Sequence, residues 1–186
     1  MPVCLFLLDD KMEIRLATLA DLNTCLKLDN SFQTEYVWQM EARNDATTLA
    51  AAFRLTRLPR PMRVTGMISP DEVIFDYQHD GNLWVYDDEG VRGFIGAVAE
   101  EWNQSACIHS LAVAPAYRRK GIGSELMRTV VDWGRQKKLR VALLDTPTKA
   151  YPAICFYQKH GFTFCGFSDR LYPNRDIAML FALNLR

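Results

Sequence analysis

The segment Arg118-Arg119-Lys120-Gly121-Ile122-Gly123-Ser124 puts three cations and two glycines directly ahead of an amphipathic stretch. That arrangement suits an anion. A helix N-terminus leaves backbone N–H groups unpaired, and its partial positive charge is worth about 0.3–1 kcal/mol to a nearby anion. Glycines let a phosphate reach the backbone with no Cβ in the way. Two familiar phosphate motifs do not fit. The P-loop requires a Lys before the Ser that follows its last glycine, and Gly123 runs straight into Ser124. The dinucleotide fingerprint requires a third glycine where Leu126 stands. The other reading of the segment is an ordinary strand-loop-helix turn with a basic surface.

The elements around this turn follow from pattern. Leu83 to Tyr86, Val91 to Glu101 and Cys107 to Val113 read as strands. The acidic turn Asp87-Asp88-Glu89-Gly90 and the turn at Asn103-Gln104 separate them, which predicts an antiparallel meander. Gly121 to Lys137 carries Ile122, Leu126, Val130 and Trp133 near the 3.6 period of a helix. Arg140 to Leu144 is short and almost wholly apolar, as expected of a strand covered on both faces. A helix over Pro152–His160 follows, with Pro152 in its first turn and Gly161 ending it. Phe162–Phe167 and Ile177–Leu185 are two last strands.

Upstream, Ile14 and Leu16 suggest a first strand. Thr18 and Asp21 suggest a capped helix over about 19–29. Gln39 to Phe53 is rich in good helix formers, so part of residues 31–66 is expected to be helical. Arg54, Arg57, Arg60 and Arg63, interleaved with Pro59 and Pro61, read as a solvated edge strand or loop, with phosphate contact the alternative. Ser69-Pro70-Asp71 opens a loop or short helix within 67–81.

Composition bounds the rest. The 186 residues predict one domain, with residues 1–11 a tail or an extra strand. Lys plus Arg and Asp plus Glu number 22 each, so no global basic field exists to hold nucleic acid. Cys4, Cys25, Cys107, Cys155 and Cys165 form no C-x-x-C pair, which argues against a zinc site and a disulfide framework and for a reducing, cytoplasmic setting. Val3 to Leu8 lacks a basic flank and a cleavage site, and no apolar run is long enough for a membrane span.

Two motifs together suggest a family. Arg118 to Gly123 matches Q/R-x-x-G-x-G/A, and Ala153-Ile154-Cys155-Phe156-Tyr157-Gln158-Lys159-His160-Gly161-Phe162 matches A-x-x-F-Y-x-x-x-G-F. Over about residues 91–168 the chain resembles the GCN5-related N-acetyltransferases (GNAT). Within them it looks most like the streptothricin acetyltransferase branch, on Asp29-Asn30-Ser31-Phe32-Gln33-Thr34-Glu35, Trp102-Asn103 and Leu171-Tyr172-Pro173-Asn174.

The resemblance implies an α/β fold of the α+β type. Its mixed central sheet has an antiparallel N-terminal meander, splayed fourth and fifth strands, and flanking helices. It implies acetyl-CoA as cosubstrate and no metal. The pantetheine arm would lie along the backbone of Leu111, Ala112 and Val113. The pyrophosphate would lie on Arg118, Arg119, Lys120, Gly121, Ile122, Gly123 and Ser124, chiefly their amides. Tyr157 matches the family's general acid, with a packed core tyrosine as the alternative. His109 stands where relatives often carry a Glu base, with Glu100 and Glu101 as rivals and a structural histidine as the other possibility. Relatives often have an Asn that contacts the cofactor arm where this chain has Ala150, so Lys149 or Thr148 would have to serve there.

The implied acceptor is a small-molecule amine, with Glu35, Asp87, Asp88 and Glu89 as candidates to attract a cation and a merely solvated acidic turn as the alternative. The alternatives are a protein N-terminus or lysine, and a non-catalytic acyl-CoA sensor. No nucleic-acid or membrane partner is expected, and the chain would be a monomer or homodimer.

Overall fold

The computed structural model describes residues 13–79 and 82–186. The proposed tail or strand over 1–11 lies outside them. Strand β1 (Glu13–Leu16) leads into α1 (Leu19–Lys27), two residues shorter than expected. At its start, the Thr18 N–H and hydroxyl both donate to Asp21 Oδ2 at 2.7 Å. Arg15 donates to Asp21 at 2.7 Å and to Asp87 at 2.5 Å, tying β1 to α1 and to the end of β4 (Leu83–Asp87).

Residues 31–66 are not helical. They form a long antiparallel ribbon of β2 (Phe32–Asn44) and β3 (Leu49–Val64). Helix propensity is a weak prior that tertiary packing overrides. Here Phe53 packs edge-on against Phe164 and Phe167, Tyr36 meets Tyr151, and the Trp38 backbone N–H donates to the Thr148 carbonyl at 3.0 Å. The pairing slips between Thr34 and Tyr36, opposite residues 58–61. Pro59 and Pro61 have no N–H to give a ladder, so the chain bulges there. Arg54 and Arg57 are exposed and pair with Glu41 and Glu35, the solvated-strand outcome for this basic run.

Helix α2 (Pro70–Gln78) starts at Ser69, whose hydroxyl accepts from the Glu72 N–H at 3.1 Å while Glu72 Oε2 accepts from the Ser69 N–H at 2.9 Å. The remaining elements are β5 (Val91–Glu100), β6 (Ser105–Val113), α3 (Ile122–Gln136), β7 (Val141–Pro147), α4 (Tyr151–Lys159), β8 (Thr163–Ser168) and β9 (Ala178–Asn184).

The seven-stranded sheet runs β1-β4-β5-β6-β7-β9-β8. It is antiparallel except for β6 and β7, which α3 connects in parallel. Helices cover both faces. Ile122, Leu126, Met127 and Val130 of α3 pack with Ile95, Ala97, Ala106 and Ile108. Cys25 of α1 and Val73 of α2 pack with Leu83, Val85, Phe94 and Ala112. Neighbouring strand residues thus point to opposite cores, the alternation a sheet requires. Each large side chain buried this fully contributes about 1.5–3 kcal/mol, so packing holds the frame around the central strands. Among the described residues no helix is long and apolar enough to cross a membrane.

Candidate active site

Strands β6 and β7 are the fourth and fifth of this sheet in chain order, and they part. Their pairing runs from Ser105 with Val141 to Ile108 with Leu144. Beyond it β6 continues to Val113 and β7 to Pro147 without pairing each other. The outer edges stay paired, β6 with β5 and β7 with β9. The gap therefore leaves the facing edges of β6 and β7 beyond Ile108 and Leu144 without strand pairing inside the sheet.

Where the gap opens, the β5–β6 register slips. Gly96 pairs with Ser110 and Ala97 with Ile108, leaving His109 as the extra residue of a bulge. A bulge re-aims a side chain. His109 lines a cleft of about 670 Å³ between the splayed strands. Its Nδ1 lies 2.7 Å from Oδ1 of Asp76, a fully buried residue of α2 whose Oδ2 accepts from the Ser110 hydroxyl at 2.7 Å. Burial works to lower the His109 pKa. The Asp76 hydrogen bond and the negative charges of Asp76, Asp145 and Glu72 outweigh it, so the pKa is raised.

The same cleft is lined by Leu111, Ala112, Val113, Arg118, Arg119, Gly121, Gly123, Ser124 and Tyr157. Gly121 caps α3 with φ +92°, a left-handed conformation that an L side chain resists. Gly121, Gly123 and Ser124 place the start of α3 at the cleft wall. Ser124 Oγ and His160 Nε2 are 3.0 Å apart, joining the first turn of α3 to the end of α4. Burial and the nearby charges of Lys159 and Arg128 lower the His160 pKa. Tyr157 is half-buried, and burial and the charge of Asp145 push its phenol up to about 12.

Several expected residues are engaged by other partners or lie away from the cleft. Arg118 is a buckle: it donates to the carbonyls of Val113 at 2.8 Å, Ser31 at 2.6 Å and Asp29 at 2.9 Å. Ile122 is buried in the core, and the Lys120 ammonium stands 4.8 Å from the Tyr117 ring centre. Glu100 pairs with Ser105 at the opposite end of β6, and neither it nor Glu101 lines the cleft. Ala150 is buried at the start of α4. Lys149 is paired with Asp176 at 2.5 Å, and the Thr148 backbone is taken up by Trp38 and Ile177. Glu35 and Asp87 have arginine partners, and Asp88 and Glu89 sit in the β4–β5 turn, away from the cleft lining.

A family profile described as "Acetyltransferase (GNAT) family" matches residues 30–162. The chain belongs to the GNAT acetyltransferase family. It is an acetyl-CoA-dependent acetyltransferase. Streptothricin acetyltransferase of Streptomyces lavendulae is 30% identical over 162 residues, 86% of each chain. The crystal structure of a nourseothricin acetyltransferase superposes with TM-score 0.79 at 22% identity, covering 94% of this chain and 98% of that one. A candidate streptothricin acetyltransferase from Bacillus anthracis, solved in complex with acetyl coenzyme A, superposes with TM-score 0.73 at 20% identity over 92% and 98% of the two chains.

The acetyltransferase's own geometry fits that donor. The open edge of β6 suits an extended arm that can pair with backbone, and the amides at the α3 N-terminus suit a pyrophosphate. Three polar residues of this site, Glu72, Asp76 and Asp145, were not singled out in the sequence, and Tyr172 entered only through the branch resemblance. Glu72, Asp145 and Tyr172 line the cleft, and the Tyr172 hydroxyl donates to Asp145. Burial, then Asp145, raises the Tyr172 pKa, and burial raises that of Glu72. A usable signal existed for two of them. Asp76 falls three residues after Val73, on the buried face of α2, and a buried carboxylate demands a partner. Asp145 is the charge that interrupts an apolar strand just where the sheet opens.

Proposed function

We propose that this acetyltransferase moves the acetyl group from acetyl-CoA to a primary amine of a cationic small molecule by direct attack. One observation carries the reading: the parting of β6 and β7 brings His109 and Tyr157 into a single cleft with the α3 N-terminus. An alkyl ammonium, with a pKa of about 10.4, must lose a proton before its nitrogen can attack. His109 accepts that proton at Nε2, directly or through a water. The nitrogen forms a bond to the thioester carbonyl carbon, the carbonyl oxygen is steadied by a β6 backbone N–H, the C–S bond breaks, and the nitrogen gives up its second proton to water as the amide forms. Tyr157 delivers a proton to the leaving thiolate. Its raised pKa supports this role, because the phenol stays protonated across the working range.

Glu72 and Asp145 line the cleft without a Lys or Arg partner among the described residues. They favour a positively charged acceptor. The similarity to streptothricin acetyltransferase of Streptomyces lavendulae supports a small-molecule amine over a protein one.

The test is release of free thiol from acetyl-CoA with a panel containing streptothricin, lysine, a polyamine and peptide N-termini. Turnover with one or more of the small cations is the expected result. Turnover with peptides alone would transfer the acceptor to proteins. No amine-dependent thiol release with any of the small cations would defeat the proposed acceptor class.

A further inference from the structure

Helix α2 carries a residue whose placement goes beyond covering the sheet. Asp76 is fully buried, yet no Lys or Arg pairs with it among the described residues. Its carboxylate instead reaches the central strand over Gly96, where the missing side chain leaves room. Ser110 holds one oxygen at 2.7 Å, which fixes the carboxylate's rotation, and the other oxygen meets His109 Nδ1 at 2.7 Å. Phe75, one residue earlier on α2, packs edge-on against the imidazole at 5.6 Å between ring centres. The ring is therefore held on two sides by one helix.

We infer that Asp76 is the positioning residue for His109, fixing the imidazole as the Nδ1–H tautomer so that Nε2 is the proton acceptor open to the cleft. The inference rests on the reading of His109 as base. A carboxylate can only accept, so the hydrogen in the 2.7 Å contact belongs to Nδ1 and the lone pair to Nε2. When Nε2 takes a proton, Asp76 faces the imidazolium across the same bond and balances its charge. The groups that bear on His109 are Asp76 and Glu72 from α2 and Asp145 from β7, the last also accepting from Tyr172. Of these, Asp76 alone is hydrogen-bonded to the ring.

Nitrogen-15 NMR of imidazole-labelled protein tests this. The chain has three histidines, and single His79→Gln and His160→Gln variants assign the other two. In the parent protein the neutral His109 ring is expected as the Nδ1–H tautomer; a predominant Nε2–H tautomer overturns the inference. In Asp76→Asn the shape is kept and the charge removed, so the His109 pKa is expected to fall by about a unit or more. The rise of kcat with pH should move down with it, while kcat itself falls at least tenfold. A folded Asp76→Asn protein whose His109 titrates as in the parent overturns the inference. If that variant does not fold, the parent tautomer decides alone. Unchanged turnover in His109→Gln would defeat the base reading itself, whatever the spectra show.

Discussion

The carboxylate of Asp76 occupies the space that a side chain on Gly96 would need. A Cβ built there falls 1.9 Å from Asp76 Oδ2 and 2.6 Å from the Ser110 hydroxyl. Gly96→Ala should therefore push Asp76 off His109 as well as crowd the interior. Overpacking of this kind costs about 1–3 kcal/mol, which lowers the melting temperature by about 2–12 °C in a protein of this size. Calorimetry and kcat on one preparation check it. Unchanged values for both would mean that α2 retreats freely.

The pH dependence follows from His109. Burial pulls its pKa down, but the Asp76 bond and the Asp76, Asp145 and Glu72 charges raise it overall. The base form appears only as pH climbs past that raised value, so kcat/KM should rise with pH, with a midpoint above the ordinary histidine value of about 6.5. For stability the sign is opposite. A raised folded-state pKa contributes stability fully present below about 6.5 and lost as pH rises through the folded value. A pH–rate profile whose rise is complete by pH 6 would contradict this assignment. His109→Gln should cost about 10²–10⁴-fold at neutral pH, with partial recovery as alkali supplies free amine.

Tyr157→Phe removes one oxygen and leaves the ring. The hydroxyl is needed as the thiolate forms, so the loss should fall on kcat, by about 10- to 1,000-fold, with acetyl-CoA affinity little changed. Because its pKa lies at about 12, Tyr157 should add no falling limb to the pH profile below about pH 11. Kinetics, cofactor titration and a melting curve on the same sample separate this from a packing role, which would lower stability and spare turnover.

Gly121→Asp should weaken acetyl-CoA binding. No heavy atom lies within 4 Å of a Cβ built at this position, so the change is not a clash. It would combine backbone strain at φ +92°, about 1–2 kcal/mol, with a negative charge beside the amides proposed to hold phosphate. Calorimetric titration should show at least a tenfold loss of affinity. Equal affinity would place the pyrophosphate elsewhere.

Glu72→Gln and Asp145→Asn should each raise KM for a cationic acceptor several-fold and leave KM for acetyl-CoA nearly unchanged. The parent's acceptor KM should also rise with salt, since screening weakens partly exposed charges. An acceptor KM indifferent to both the substitutions and the salt would argue for a neutral acceptor.

The segments whose work is local were legible in the sequence. Gly121 and Gly123 declare a turn that opens a helix, and Phe156-Tyr157 with Gly161 declares the second helix and its end. The meander also followed from its two turns. The ribbon did not, because residues 39–53 favour a helix on their own and are held extended by distant partners, Phe164 and Phe167 against Phe53. The partners of His109 were hidden for a related reason. Asp76 and Asp145 lie 33 residues before it and 36 after, and only the register slip at His109 turns the ring toward them. Glu100 and Glu101 looked near His109 in sequence, yet a strand spaces its residues about 3.3 Å apart, enough to put the far end of β6 outside the cleft.

The sheet order has a consequence for how the chain assembles. Among the described strands, β8 pairs with β9 alone, and β9 lies between it and β7. Although β8 comes first along the chain, it has no seat until Ala178–Asn184 has docked against Val141–Pro147. A nascent or clipped chain ending before residue 178 thus forfeits two strands at once. It also leaves Phe164 and Phe167 with no sheet beneath them and the outer edge of β7 open to other chains.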